Sequence, residues 1–414
     1  MTIRIVGRYL YRNQEALLLA LTLFLFTSKS LYNVPFAFMA LLGLYRLIRA
    51  HGSLPAHAES RFYCLLFFSL WIPMVIAFMD PVNLERTART VWPYLRFLLA
   101  GIYVLYGMRE RNPRRFIENA FFIIITVWSL DAVLQFITGW DVFGYPYVNG
   151  VHITGMFYPD LTIGHALAGL SALYFDSLRQ RSRGRPWIWL LLIPLVMVVF
   201  LCGRRSIWFM FAVNAFGYLA YRFYLTQFRK QFVIHALLIS VVAAAILAAL
   251  YLTQEPIQKR VAKTMGLFST NIEEIDRATS SRVDIWRTSW RMFQDNWING
   301  VGPRGFRYVY RDYADPDFKF YETSVTHPHM VILEIAAESG VIGLAGYLLF
   351  LYFLASMARR YLHNETCFAC FIGIFAATVP INTHVAFYGS YWSSILWWMI
   401  IYLAIHMHDR EEKG

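Results

Sequence analysis

Residues 186–223 read PWIWLLLIPLVMVVFLCGRRSIWFMFAVNAFGYLAYRF. Two apolar blocks flank a short polar break made of Gly203, Arg204, Arg205 and Ser206. Each block has about the length that a helix needs to cross the ~30 Å hydrocarbon core of a bilayer, since a helix rises ~1.5 Å per residue. The stretch therefore predicts two membrane-spanning helices whose connecting turn places two arginines at the membrane surface.

The same pattern recurs along the chain of 414 residues, of which 58% are apolar and only 15% are charged. Soluble domains carry about a quarter charged residues. The composition predicts an all-α polytopic membrane protein with about twelve spans. The predicted spans are 14–28, 33–48, 62–79, 92–108, 116–138, 160–178, 186–202, 205–223, 232–252, 329–357, 364–383 and 387–406.

Basic residues predict the orientation of these spans. Arginines and lysines concentrate at both termini and in alternate loops, such as 109–115 and 179–185. The positive-inside rule assigns these segments to the cytoplasm. This bias also accounts for the net charge of +12. Because the arginines are scattered and form no single basic face, a nucleic-acid partner is not predicted.

The topology predicts three parts. Residues 1–252 form an N-terminal bundle of about nine helices, and residues 329–414 form about three helices and a short cytoplasmic tail. Between them, residues 253–328 form a large loop on the outer side, which is the periplasm in a Gram-negative cell. Apolar residues recur in this loop at helical spacing, and long loops with their own helices are usually functional.

Arginines on the outer side are the first candidate site residues. A charge beside hydrocarbon is costly and tends to serve a partner or a substrate. Arg204 and Arg205 oppose the charge bias of their side, and a guanidinium binds phosphate bidentately. The alternative is an anchor that reaches into lipid headgroups. Arg282 opens the apolar-periodic stretch 282–293, with Arg287 and Arg291 on nearly the same helical face.

The start of the tenth span carries the second group of candidates. Pro328 suits the first turn of a helix. His329 would then lie at the outer mouth, where an imidazole acts as a base near neutral pH. His327 is an alternative two residues earlier. Glu334 and Glu338 lie one helical turn apart, so we expect both to face the bundle interior and to orient His329 or hold an arginine.

Three further features complete the candidates. The Gly-rich turn 300–306 lacks the G-K-[ST] ending of a P-loop, and its glycines are expected to allow close approach to other backbone. Arg96, in the outer half of the fourth span, is a candidate partner for phosphate or carboxylate. Asp312, Asp315 and Asp317 are interpreted as a solvated run, so no metal site is predicted.

Together these residues resemble the O-antigen ligase and polymerase superfamily. The resemblance covers most of the chain as topology and about a tenth of it as motif. The matching features are Arg204 or Arg205 at the start of the eighth span, Arg282, the turn 300–306, the segment 155–160, and His329 followed by Glu334, Glu338, Gly340 and Gly343.

The resemblance implies a GT-C-like glycosyltransferase that works without a cofactor in the bacterial inner membrane. Its donor would be a glycan on undecaprenyl diphosphate, and its active site would face the periplasm. Within the superfamily we expect an O-antigen ligase, with lipid A–core as acceptor, and the alternative is an O-antigen polymerase. His329 is the expected base, and Arg282 with Arg205 or Arg204 would stabilise the leaving diphosphate in an inverting reaction.

The remaining site residues are assigned to substrate binding: Arg204, Arg287, His327, Glu334, Glu338 and Arg96.

A transporter of lipid-linked glycan is the alternative from another class. Arg96, Asp131, His165 and Glu338 would suit a path through the membrane. Against it, the sequence shows no obvious repeated half, and its polar candidates concentrate at one membrane face.

Overall fold

The computed structural model describes residues 13–54, 58–108, 114–150, 152–227, 245, 248–249, 251–253, 255–323, 325–382 and 385–407. These residues are mainly α-helical, as predicted. The helices are α1 Gln14–Phe24, α2 Asn33–Arg49, α3 Ala58–Ala77, α4 Leu84–Met108, α5 Arg114–Thr138, α6 Ile163–Arg181, α7 Leu192–Leu201, α8 Arg205–Thr226, α9 Glu255–Met265, α10 Ile272–Thr279, α11 Val283–Asp295, α12 Phe306–Tyr313, α13 Val331–Arg360, α14 Glu365–Thr378 and α15 Ser390–Met407.

Apolar helices long enough to cross a membrane are present among the described residues. Three qualify by length and composition: α3, α5 and α13. Three shorter apolar helices cover Gln14–Thr27, Pro186–Leu201 and Glu365–Thr378. The count of twelve spans and the GT-C-like arrangement stay predictions. The predicted ninth span, 232–252, lies almost entirely outside the described residues.

The last helix lies at the centre of the bundle. Every residue of α15 from Trp392 to Met407 is buried. Its indole N–H groups are satisfied by neighbouring helices: Trp397 donates to the Tyr94 hydroxyl at 2.8 Å and Trp398 to the Leu19 carbonyl at 2.9 Å. An unpaired donor in such surroundings would cost several kcal/mol, so these bonds fix the helix in place.

Helix α13 contains a break at Gly340, whose φ is 61°. The break frees backbone groups, and the preceding loop binds them. The Val341 N–H donates to the Trp297 carbonyl at 2.8 Å, and the Val301 N–H donates to the Ala337 carbonyl at 2.9 Å. The loop is therefore joined to the helix by main-chain hydrogen bonds on both sides of the break.

Close packing at this junction requires glycine. A Cβ added at Gly300 would lie 2.3 Å from the Ser339 nitrogen, and one at Gly340 would lie 2.3 Å from the Ile298 backbone. Both glycines also have positive φ, which an L side chain adopts only with strain. The prediction that the Gly-rich turn allows close backbone approach is confirmed.

Near the C-terminal ends of α6 and α8, arginines pair with acids. Arg179 contacts Glu365 at 2.6 Å and Asp176 at 3.0 Å. Arg222 contacts the same Glu365 oxygen. Thr366 adds a hydrogen bond of 2.8 Å to Asp176. This network joins the ends of α6 and α8 to the start of α14, on the side that the positive-inside rule assigns to the cytoplasm.

Candidate active site

A cavity of about 550 Å³ lies where α6 and α8 begin and α10 ends. The segment before α13 and the turn after α14 complete its walls. Its lining residues are His165, Arg204, Arg205, Ser206, Phe209, Thr279, Ser280, Arg282, Trp286, His327, His329, Ile381 and Val385.

Five of the predicted site residues meet in this cavity: Arg204, Arg205, Arg282, His327 and His329. They come from three separate parts of the chain. Among the described residues that line the cavity there is no aspartate or glutamate. Clustered guanidiniums within low-dielectric walls give a positive potential, which suits a small anion or a phosphate group.

The turn between α10 and α11 positions Arg205 and Arg282. Arg205 is the first residue of α8, and its Nη2 donates to the Ser280 hydroxyl at 3.1 Å. Lys263 Nζ lies 3.4 Å from the same hydroxyl. Ser280 has a φ of 64° and Ser281 one of 58°. Two consecutive non-glycine residues in the left-handed region mark a strained turn, and this turn brings Ser280 and Arg282 to the start of α8.

The two histidines occupy an irregular segment before α13. His329 has a φ of 54°, and the helix begins only at Val331. The prediction that Pro328 forms the first helical turn is therefore wrong, because the chain turns at His329 first. His327 is 7% exposed, and its Nδ1 lies 2.9 Å from the Thr326 hydroxyl.

The rings of His327 and His329 lie 3.9 Å apart, measured between centroids. His329 is half-buried, whereas His327 is buried. His329 is thus the more accessible imidazole of the pair, and His327 is fixed beside it.

Sequence reasoning missed part of the lining. His165 is 3% exposed, and its Nε2 lies 3.3 Å from the Ser206 hydroxyl. In the sequence it is a lone histidine in an apolar segment, and only the transport alternative assigns it a role. Ser280 and Trp286 were also missed, although each stands within four residues of Arg282. Their proximity in sequence to a candidate arginine is the signal that would have found them.

Glu334 and Glu338 are buried, as expected, but they do not line the cavity. Glu338 Oε2 accepts a hydrogen bond from the Arg304 backbone N–H at 2.7 Å. Glu334 Oε1 accepts one from the Tyr388 N–H at 3.2 Å. A hydrogen bond contributes about 0.5–1.5 kcal/mol to stability. These carboxylates therefore fasten the Gly-rich turn and the turn before α15 to α13.

A second group of arginines lies beside the Gly-rich turn. Arg304 is 8% exposed, and its Nε and Nη1 have no hydrogen-bond partner among the described residues. Burial lowers the pKa of the Arg307 guanidinium, and the charges of Arg304 and Arg86 lower it further. The acids of α13 lie close enough to offset part of this charge.

Other predicted residues lie elsewhere. Arg96 donates to the Ser390 hydroxyl at 2.8 Å and stacks over the Phe97 ring. In the segment 155–160, the Gly155 N–H donates to Gln135 at 2.9 Å. This segment contributes no residue to the cavity lining.

Two side pockets adjoin the cavity. One, here called the tryptophan groove, has about 500 Å³. It is lined by Val283, Trp286, Arg287, Trp290, Arg291, Gln294 and Leu333. It shares Trp286 with the cavity, and it contains Arg287, a predicted substrate-binding residue. The other, of about 350 Å³, shares Ser280, Arg282 and His329 with the cavity. Two pockets that share lining residues therefore flank the charged cavity.

Residues 190–348 match the family described as O-antigen ligase. The match confirms the resemblance to that superfamily, and it includes every arginine of the cavity and both His327 and His329. His165 lies outside it. A search of curated proteins gave no match. The family and the apolar helices together indicate a membrane-bound, glycosyltransferase-like enzyme.

Proposed function

We propose that the protein is an O-antigen ligase, which transfers O-antigen polysaccharide from undecaprenyl diphosphate to a sugar hydroxyl of lipid A–core. The transfer would take place on the periplasmic face of the inner membrane. The observation that carries the proposal is the cavity itself, which collects three arginines beside His327 and His329 without an acid in its described lining.

The arginines suit the donor. As the glycosidic bond to the diphosphate breaks, negative charge grows on the phosphate oxygens. Arg205 and Arg282 would bind those oxygens, and Ser280 holds Arg205 in position before the substrate arrives. The positive N-terminal end of α8 adds to the same field. Preorganised donors of this kind stabilise a developing charge without reorganisation, and removal of one costs about 10²–10³ in kcat.

His329 suits the acceptor. Its imidazole would remove the proton of the attacking hydroxyl while that oxygen forms a bond to the anomeric carbon. The bond from this carbon to the diphosphate oxygen breaks in the same step, and undecaprenyl diphosphate leaves with the electron pair. Attack opposite the leaving group inverts the anomeric centre. General-base catalysis of this kind contributes typically 10²–10⁴-fold.

The transport alternative receives less support from the polar residues that it would use. His165 lines the cavity, but Asp131 accepts a bond from the Val142 N–H at 2.8 Å and Glu338 holds the Gly-rich turn. Arg96 is bound to Ser390. Each of these three groups serves a local contact, so they do not form a shared path.

The test uses cells whose only copy of the gene encodes the His329→Ala variant. The lipopolysaccharide is then separated on a gel that resolves glycan length. We expect bare lipid A–core, with the lipid-linked polymer accumulating. The matched control is His363→Ala, which changes an exposed histidine at the far end of α13 and should leave the ladder intact.

Other outcomes would redirect the proposal. Core that bears a single repeat would identify a polymerase. An unchanged ladder in His329→Ala together with a lost one in His327→Ala would move the base to His327. Unchanged ladders in both variants would refute the histidine mechanism and favour transport.

A further inference from the structure

The tryptophan groove lies beside the cavity along α11, and Trp286 lines both. We propose that this groove is a saccharide subsite, which holds sugar residues of a substrate while its reacting end lies in the cavity. The proposal rests on the proposed function, because it assumes that the cavity transfers a glycan. It adds Trp286, Trp290 and Gln294 to the residues that would contact substrate, next to the arginines of the cavity.

The groove is lined by residues of α11 and α13. Trp286 and Trp290 are four residues apart on α11, so they share one face of that helix. Leu333, in the first turn of α13, also lines the groove. The volume of about 500 Å³ lies within the ~300–1,000 Å³ of typical ligand sites.

The indoles fit a sugar chemically. A pyranose has apolar C–H faces and a rim of hydroxyls, and an indole has an apolar ring and one N–H donor. Trp290 is 51% exposed, so its ring is accessible. The buried Nε1 of Trp286 has no hydrogen-bond partner in the part of the chain that the structure describes. A sugar hydroxyl at the junction with the cavity would supply the missing acceptor.

The polar residues of the groove can orient a bound sugar. Arg291 is held by both oxygens of Asp315, at 2.8 and 3.0 Å. Its position is therefore fixed before a ligand binds, which reduces the entropy lost on binding. Arg287 lies 3.8 Å from Asp284 with 55% of its side chain exposed. It can donate to hydroxyls or to an anionic substituent, and Gln294 can donate and accept.

Two substrates could supply the sugar: the acceptor oligosaccharide and the first residues of the donor glycan. Both have the same chemistry, so kinetics must separate them. The experiment uses the full-length protein in proteoliposomes, with the lipid-diphosphate donor and lipid A–core titrated in turn. The variant is Trp290→Ala. The matched control is Trp297→Ala, which removes a loop tryptophan of similar exposure, 54%, that does not line the groove.

We expect Trp290→Ala to raise the KM for one of the two saccharide substrates about five- to tenfold, with little change in kcat. The affected substrate identifies the source of the sugar. Trp290→Phe, which retains a ring, should recover most of the loss, and Trp297→Ala should leave both KM values unchanged. Equal effects of Trp290→Ala and Trp297→Ala would reduce the indoles to membrane anchors and overturn the proposal. Unchanged KM values in Trp290→Ala would also overturn it.

A binding measurement keeps this test separate from that of the proposed function. Calorimetry of the detergent-solubilised protein would use two probes, delipidated core oligosaccharide and free O-antigen polysaccharide. Binding of either probe that weakens in Trp290→Ala, but not in Trp297→Ala, supports the groove even if no transfer is observed. Failure of both probes to bind the unaltered protein, or equal binding by all variants, counts against the groove alone.

Discussion

The two ends of α6 and α8 both carry arginines, but the fold treats them differently. At one end Arg179 and Arg222 contact Glu365, and Arg179 also contacts Asp176. At the other end Arg204 and Arg205 line a cavity whose described lining has no acid. The residue type is the same at both ends. The carboxylate network marks the first end as structural, whereas the second end opens on a cavity of a size and charge that suit an anionic ligand.

The physical reason is the free-energy cost of removing a charged group from water. A guanidinium taken out of water requires a countercharge or hydrogen-bond acceptors. The first end supplies carboxylates from α6 and α14, which offset its charges within the protein. At the cavity, a bound diphosphate would add negative charge from a ligand. The comparison predicts that substitutions at the first end affect stability and those at the second affect activity.

The largest effect is expected when one arginine at each end is replaced and the two variants are compared. Arg205→Gln should lower kcat/KM by about 10²–10³ with an unchanged melting temperature. Arg222→Gln should leave kcat/KM within about threefold, yet destabilise the protein by roughly 1–3 kcal/mol because Glu365 loses a partner. Transfer assays and thermal unfolding of both purified variants give the answer. The comparison fails if the two variants lose activity and stability in equal proportion.

The junction between the loop and α13 should give the next largest effect. Gly340→Ala places a Cβ where the Ile298 backbone lies, on a residue with positive φ. The expected cost is about 1–3 kcal/mol, with activity lost because the loop supplies Arg282 to the cavity. Limited proteolysis should cut residues 296–305 faster in this variant. Gly184→Ala serves as control, since Gly184 also has positive φ but an added Cβ there meets open space. Equal proteolysis of the two variants would mean that the contact with Ile298 contributes little.

A smaller effect tests whether Ser280 positions Arg205. Ser280→Ala removes the hydroxyl that Arg205 contacts, so kcat should fall roughly three- to tenfold as the guanidinium becomes less fixed. Ser281→Ala is closely matched, because Ser281 also has positive φ and does not line the cavity. Single-turnover rates of both variants measure the difference. Equal rates would mean that the strained turn itself, and not the hydroxyl, orients Arg205.

The sequence predicts the helical class and much of the candidate site, but the two predictions rest on different features of the sequence. Apolar blocks report helices directly, since crossing a membrane requires a run of fixed length. The pairing of Arg205 with Ser280 is different, because it depends on a left-handed turn formed by two serines, which their residue type does not indicate. His165 likewise joins the cavity only through the packing of α6 against α8. Sequence patterns identify elements, whereas the contacts between distant elements decide which polar residues share a cavity.

The same limit applies to Glu334 and Glu338. Two acids in an apolar helix predict burial, and both are buried. Their hydrogen bonds go to the main chain of Arg304 and Tyr388. Backbone N–H groups exist at every residue except proline, so no sequence pattern indicates which of them a buried carboxylate will bind.

An exposed ion pair in the loop gives the smallest predicted effect and an intermediate case in the comparison. Arg291 holds the pKa of the Asp315 carboxyl below its usual range, through hydrogen bonds and its charge. A depressed pKa means that the pair stabilises the folded loop above the unfolded pKa of aspartate, ~3.9, and that this contribution is lost as the pH falls further. Asp315→Asn should therefore unfold at a slightly lower temperature than the parent at pH 7, with the difference vanishing in acid.

Because exposed pairs contribute little, the KM of Asp315→Asn for the saccharide substrate should change less than about twofold. Asp317→Asn, at an exposed aspartate two residues away, is the matched control and should unfold at the same temperature as the parent at pH 7. If Asp315→Asn instead raised that KM tenfold, Arg291 would require its carboxylate partner to bind sugar. The groove would then combine a carboxylate-paired arginine with ligand binding, unlike the network of Arg179 and Arg222, for which only a structural role is predicted.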